Sequence, residues 1–184
     1  MYGYFLLQDS EVFRGCSALK LNDSSTYTNQ GFKTFLVGED VTNIIFDENL
    51  INSYYTFEGC RNLSYDDFKF IMYRLTSNLT SLEGMFKDCS NISGDIFYDL
   101  FRQCGGVENL KDAFNGTRLS GIFFSRTSDY NASDSSTFGI LDFLPRLKNT
   151  EGAFSNTTLQ WIDNNVFSPK ENIYIGITNA DYMF

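Results

Sequence analysis

Asn78-Leu79-Thr80-Ser81-Leu82-Glu83-Gly84-Met85-Phe86-Lys87-Asp88-Cys89-Ser90-Asn91-Ile92 is the stretch on which the fold turns. An aliphatic stands seven residues before its Phe, a Met directly before it, a turn-forming Asp two after, a Cys three after and an Ile six after. The same register recurs at Phe13, Phe57, Phe86, Phe114, Phe154 and Phe184, at intervals of 44, 29, 28, 40 and 30 residues. Seven before each anchor are Leu6, Leu50, Leu79, Val107, Leu147 and Ile177, and directly before it Val12, Thr56, Met85, Ala113, Ala153 and Met183. Downstream, the first three units continue with Gly15-Cys16 to Leu19, Gly59-Cys60 to Leu63 and Asp88-Cys89 to Ile92; the next two are one residue shorter, with Gly116-Thr117 to Leu119 and Asn156-Thr157 to Leu159. Self-similarity at periods of 20–50 residues is the mark of units that bury their apolar faces only by stacking on neighbours.

Read locally, Thr80 and Glu83 have the spacing of a capping box and predict a short helical turn ending at Met85-Phe86. Short extended segments are expected beyond the turns, at Ala18–Leu21, Asn62–Tyr65, Asn91–Ser93, Arg118–Ile122 and Thr158–Ile162, hydrogen-bonded side by side in a parallel sheet. Ser64 with Asp67 is a second capping box, ahead of the stripe Phe68, Ile71, Met72 and Leu75. A further helix is expected from Asp95, with Ile96, Phe97, Leu100, Phe101 and Cys104 on one face and Gly105-Gly106 as its stop. The expectation is an α/β repeat solenoid: short parallel strands, helices on the opposite face, irregular repeat length, over residues 1–184 as one segment. Because Ala180–Phe184 begins another motif at its anchor, the segment is expected to be a slice of a larger protein.

The pattern Φ-x-x-x-x-x-(M/A)-F-x-G-C-x-x-L resembles the BspA-like leucine-rich repeats, in particular the DUF285 surface-protein repeats, with 78–89 the closest match. The resemblance runs over most of Leu50–Phe184 and more weakly before it. It implies a leucine-rich-repeat-like fold, an extracellular, cell-surface or virion-surface location, and an adhesive or interaction role, since similar repeats occur in bacterial surface proteins and in virion proteins of phages. Departures are the long intervals and Thr117 and Thr157 in place of Cys, which suggest an irregular solenoid rather than a regular horseshoe.

Composition sets the exclusions. Against 23 Asp plus Glu there are 14 Lys plus Arg and no His, a formal charge of −9. The acidic excess argues against nucleic-acid binding, and the missing His removes Ser-His-Asp and HExxH chemistry. No apolar run approaches the roughly 18 residues of a membrane span, so no membrane insertion is expected, and Met1–Ser10 does not read as a signal peptide.

Cys16, Cys60 and Cys89 share one repeat position and would stack as a column within disulfide range of one another. Replacement by Thr117 and Thr157 favours instead free, half-buried groups that cap a turn carbonyl, and no metal spacing is present. The sequons at Asn22, Asn62, Asn78, Asn91, Asn115, Asn131 and Asn156 follow from turn chemistry repeated with the unit. Asp129–Asp134 alternates oxygen ligands but lacks the Gly and distal Glu of a calcium loop. The carboxylate pairs Glu39-Asp40, Asp47-Glu48 and Asp66-Asp67 are sequence neighbours, whereas a glycosidase needs two across a cleft. No catalytic residue and no cofactor are expected; a carbohydrate-active enzyme is the remote alternative. Two residues beyond the downstream anchors stand Leu21, Tyr65, Gly94, Gly121 and Trp161, a column in which Tyr65 and Trp161 would bound a shallow groove for a partner, unless the column faces the core and the glycines only make room for a helix. The function expected is a non-catalytic module binding protein partners or a host-surface receptor, the alternative an architectural virion component that packs against other subunits.

Overall fold

The computed structural model describes residues 3–19, 21–22, 34–36, 40–123, 140–162 and 177–184. Its spine is built from the anchor turns, stacked in parallel register. In every turn but the last, the backbone N–H groups at the anchor Phe and two residues before it donate to the following turn. Glu11 and Phe13 reach Tyr54 and Thr56, Tyr55 and Phe57 reach Glu83 and Met85, and Gly84 and Phe86 reach Lys111 and Ala113. Asp112 and Phe114 then reach Glu151 and Ala153, and Gly152 and Phe154 reach Asp181 and Met183, all at 2.7–3.0 Å. The residue two after the Phe adds a third bond wherever the next turn provides it: Gly15, Gly59, Asp88 and Gly116 donate to Glu58, Lys87, Asn115 and Ser155. Upstream, parallel bridges run Asn52, Ser81, Asn109, Asn149, Asn179 without a break.

The backbone conformation explains why the bonds fall on alternate residues. The position two before each Phe is left-handed in all six turns: Glu11, Tyr55, Gly84, Asp112, Gly152 and Tyr182, with φ of 50–62°. The position two after is left-handed as well, at Gly15, Gly59, Asp88, Gly116 and Asn156. Glycine, Asn and Asp tolerate this region; a Tyr or Glu there costs about 1–2 kcal/mol. The ladder of inter-turn hydrogen bonds offsets that cost and holds the conformation.

The anchors themselves form a continuous file of rings. Phe13, Phe57, Phe86, Phe114, Phe154 and Phe184 stack successively with centroids 5.5, 5.7, 6.1, 5.3 and 5.9 Å apart and planes inclined by only 8–15°. Phe68 meets Phe86 and Phe114 edge-on, and Phe101 meets Phe114 edge-on, so the file is packed from the side by aromatics. Leu19, Leu63, Ile92 and Leu119 are buried in the same core, with Leu159 packed against it. So are Leu50, Leu79, Val107 and Leu147, the aliphatics seven before their anchors. The first unit departs from this register: Leu6 is 40% exposed and Leu7 is buried in its place. The reason is β1 (Gly3–Leu7), whose pairing with β4 (Asp40–Phe46) sets Leu7 opposite Phe46 and turns Leu6 to the other face.

Away from the turns the chain is less regular. β2 (Leu21–Asn22) and β3 (Thr34–Leu36) join β1 and β4 in a mixed sheet ordered β1-β4-β3-β2, in which β2-β3 and β3-β4 are antiparallel; the expectation of parallel pairing fails there. α1 (Tyr65–Met72) begins at the Ser64–Asp67 capping box, both halves of which form, and buries Phe68, Ile71 and Met72. Tyr65 therefore opens a helix instead of ending a strand. The helix expected from Asp95 is instead β5 (Ser93–Phe97) followed by a 3-10 turn at Tyr98–Phe101, because β6 (Arg118–Phe123) and β7 (Trp161–Ile162) offer its backbone a parallel sheet, ordered β5-β6-β7. A short α2 (Ile140–Phe143) packs near the 3-10 turn. Gly106 sits where a Cβ would run into the carbonyl oxygens of Ser77 and Leu79, so close approach of the preceding unit's backbone requires glycine.

Candidate binding face

The column that carries Tyr65 and Trp161 lies on β5–β7 and its border with α1. Asp95, Gly121 and Trp161 are paired across the three strands, while the adjoining pairs place buried Ile96 opposite Ile122. Strand alternation therefore directs Asp95 and Trp161 away from the core, and Trp161 is 66% exposed. Gly94 does not join this row as the sequence spacing implies. It pairs with Leu119, and a register slip at Gly94/Asp95 leaves Ser120 as the extra residue, its hydroxyl donating to Asp95 Oδ1 at 2.8 Å. Tyr65 is half-buried. Its ring lies over Gly94, where a Cβ would stand 3.2 Å from the ring carbons, and its hydroxyl donates to the Asp95 carbonyl. Lys69 Nζ lies 4.7 Å from the Tyr65 ring centroid, a cation–π contact. The sheet thus holds Tyr65 in place by packing and hydrogen bonding, while Trp161 presents its indole outward.

A second array lies on the turn side and was not read from the sequence. Five residues before the anchors stand Asn52, Ser81, Asn109, Asn149 and Asn179. Asn109, Asn149 and Asn179 each accept from the backbone N–H two residues on, at 2.9–3.1 Å, and Ser81 Oγ does the same for Glu83 at 3.2 Å. Asn109 Nδ2 donates to Glu83 and Asn179 Nδ2 to Glu151, each at 3.0 Å, tying a turn to its predecessor. Asn or Ser in five consecutive units was the available signal. This arrangement also supersedes the Thr80–Glu83 capping box: the Thr80 N–H donates to Ile51 O at 2.7 Å, and Glu83 accepts from Tyr55 and Asn109 of the flanking turns.

Charges on these turns are largely paired. Lys87 meets Asp112 at 2.9 Å, Lys111 meets Glu151 at 3.2 Å and Lys148 meets Glu108 at 2.7 Å. Burial acts to raise the Asp112 carboxyl, but hydrogen bonds from Asn115 and Lys87 outweigh it and hold it below the ordinary range. A groove of about 400 Å³ opens between the last turns, lined among others by Asp112, Asn115, Glu151, Ser155, Asn156 and Tyr182. The adjacent carboxylates have structural partners: Asp67 caps α1, Asp66 pairs with Lys69, and Asp47 accepts from Gln8 and Asn49.

Cys16, Cys60, Cys89 and Cys104 are all free thiols. Cys60 Sγ donates to the Phe13 carbonyl at 3.0 Å and Cys89 Sγ to the Phe57 carbonyl at 2.9 Å, each capping the preceding turn. Thr117 and Thr157 make the equivalent bond to their own Phe114 and Phe154, at 2.7 Å. Burial pushes the thiols of Cys60 and Cys104 up to about 12 and that of Cys89 higher still. Among the described residues no group of three or more acidic, Cys or His side chains is placed to hold a metal, and no helix is long and apolar enough to cross a membrane. The Asp129–Asp134 segment and Glu39 lie outside the described residues. No protein-family model, no curated protein and no solved structure matches the chain.

Proposed function

We propose that the stacked units form an α/β, leucine-rich-repeat-like solenoid whose function is non-catalytic binding, with the outward face of β5–β7 meeting a protein partner or a host-surface receptor. The observation that carries this reading is Trp161, 66% exposed beside a buried glycine on a strand that ends the described sheet. Trp is a frequent interface anchor because it adds a large contact area with few torsions to fix. Tyr65, Asp95 and Ser120 supply a polar border to the same face. The extracellular or surface location belongs to this reading through the family resemblance.

The test uses Trp161 as its own reporter, since it is the single Trp of the chain. Titration with immobilised and soluble mucins and extracellular-matrix proteins is expected to shift its emission on binding, and Trp161→Ala is expected to weaken the same binding at least tenfold while leaving the melting temperature unchanged. Equal binding by Trp161→Ala would remove this face from the function.

A further inference from the structure

The sequence contains a single Asn-Gly pair, Asn115-Gly116, and it lies in the fourth anchor turn. A glycine after an asparagine has no Cβ to shield its backbone nitrogen, so that nitrogen can close on the asparagine side-chain carbonyl carbon. Attack follows loss of the amide proton to solvent base. The bond from Gly116 N to Asn115 Cγ forms, the Cγ–Nδ2 bond breaks, and ammonia departs with a proton returned by solvent. Water then opens the five-membered imide at either carbonyl, leaving aspartate or isoaspartate. The net reaction consumes water and releases ammonia, with no oxidant or reductant.

In the folded chain the groups that must react are held. The Gly116 N–H, whose proton must leave, donates to Ser155 O of the fifth turn at 3.0 Å. Asn115 Nδ2, the leaving group, donates to Asp112 Oδ1 at 2.8 Å, and Asn115 Oδ1 accepts from Asn156 Nδ2 at 2.9 Å. Two of these three bonds reach into the fifth turn, so they exist only while the fourth and fifth turns are stacked, and local opening removes them together. The glycine is fixed by the fold: it is left-handed at φ 77°, and a Cβ on it would stand 2.6 Å from Asp88 Oδ1. The turn therefore retains the residue that makes Asn115 reactive.

The products do not fit the same stack. An aspartate at 115 sets a carboxylate where Nδ2 now meets Asp112, whose other oxygen is already taken by Lys87 at 2.9 Å, so a bond becomes a like-charge contact. An isoaspartate routes the main chain through its own side chain. The carbonyl of residue 115, which accepts from the Asp88 N–H at 2.8 Å, becomes a free carboxylate, and the lengthened main chain carries Gly116 out of register with Ser155. We infer that Asn115 is a conditional deamidation site: closed while the fourth and fifth turns are stacked, open when they separate, and, once converted, a one-way block to their restacking. The inference goes beyond the binding reading and does not depend on Trp161.

The test incubates the whole chain at mildly alkaline pH, folded in buffer and unfolded in denaturant, and follows residue 115 by peptide mass mapping and an isoaspartyl-specific methylation assay. Conversion is expected to be at least tenfold faster in the unfolded chain. The folded rate should track hydrogen exchange of the Gly116 amide as denaturant is raised below the unfolding transition. The converted chain is then returned to buffer, where it should show a lower melting temperature and faster hydrogen exchange at the Asp88 and Gly116 amides. Asn115→Gln taken through the same treatment should regain the melting temperature it had before. Equal conversion of folded and unfolded chain overturns the closed site, and that comparison needs no variant to fold. A converted chain that recovers both its melting temperature and its protected amides overturns the block.

Discussion

The two sides of the molecule obey different rules. On the turn side the anchor rings and alternate N–H bonds repeat with the same offsets, whether the interval between anchors is 28 residues or 44, and the Asn/Ser bridges run through the last five turns. On the far side, one interval holds an eight-residue helix, another a strand and a 3-10 turn, and strand register slips at Gly94/Asp95. A segment of fixed length whose alternate backbone N–H groups are committed to a neighbour keeps register; the intervening chain absorbs the variation in length. Stability should therefore concentrate in the turns.

The sharpest way to break that comparison is Phe86→Ala. This ring has Phe neighbours on both faces and Phe68 at its edge, and its removal is expected to cost about 3–5 kcal/mol. Phe184→Ala, at the exposed end, should cost under about 1 kcal/mol. Denaturant unfolding of both variants checks the contrast, and equal losses would deny the file of rings its role.

Next in size is Gly84→Val. It combines a β-branched residue at φ 59° with a side chain inside the Tyr55 ring, for an expected loss of more than about 2 kcal/mol. Combining it with Tyr55→Gly should recover at least about 1 kcal/mol in a double-mutant cycle. Additive losses would mean that the left-handed backbone alone demands the glycine.

Asn109→Ala removes bonds to the Lys111 N–H and to Glu83, and is expected to cost about 1–2 kcal/mol. Ser120→Ala on the strand side, losing one half-buried bond to Asp95, should cost less than about 1 kcal/mol. Thr56→Val should act in the opposite direction. Thr56 is buried beside the second anchor, its hydroxyl without a partner among the described residues, so the isosteric apolar side chain is expected to stabilise the fold by about 1 kcal/mol, read as a higher melting temperature.

The thiols give the smallest and most selective test. Cys60, Cys89 and Cys104 hold their protons to about pH 12 or beyond in the folded chain, whereas an unfolded Cys releases its proton near pH 8.5. Their neutral form favours the folded state fully below that value. The contribution declines as pH rises from about 8.5 toward 12, so the unfolding midpoint should fall over that window. Native alkylation at neutral pH should spare all three, and rapid labelling of Cys60 or Cys89 would show that the column opens.

Much of the turn side was legible because apolar repetition is visible in the letters: Phe57, Phe86 and Phe114 cannot each occur seven residues after an aliphatic without sharing an environment. The left-handed position two before the anchor is hidden in the sequence because Glu11, Tyr55 and Tyr182 are not residues that announce it. Hydrogen bonds from neighbouring turns impose that conformation, and a single unit does not contain them. The Asp95 segment misled for a related reason. Its apolar spacing fits a helix, and Ile96, Leu100, Phe101 and Cys104 are indeed all buried, but the β6 backbone claims Ser93–Phe97 as a strand. On the β5–β7 face, column spacing aligns Tyr65 with Trp161 but not the extra Ser120, so the packing of Tyr65 on Gly94 and Asp95 follows only from the sheet register.

Most N–H groups that bond between turns, including those at the anchors, aim toward the last turn and their acceptor carbonyls toward the first, while a smaller set upstream, at Thr80, Glu108, Lys148 and Thr178, aims the other way. Peptide dipoles aligned head to tail along an axis sum, as they do in an α-helix, to partial positive charge at the N–H end and partial negative charge at the other. The spine is therefore an electrical vector as well as a scaffold. Its positive pole lies toward the last turn, within a molecule whose formal charge is −9.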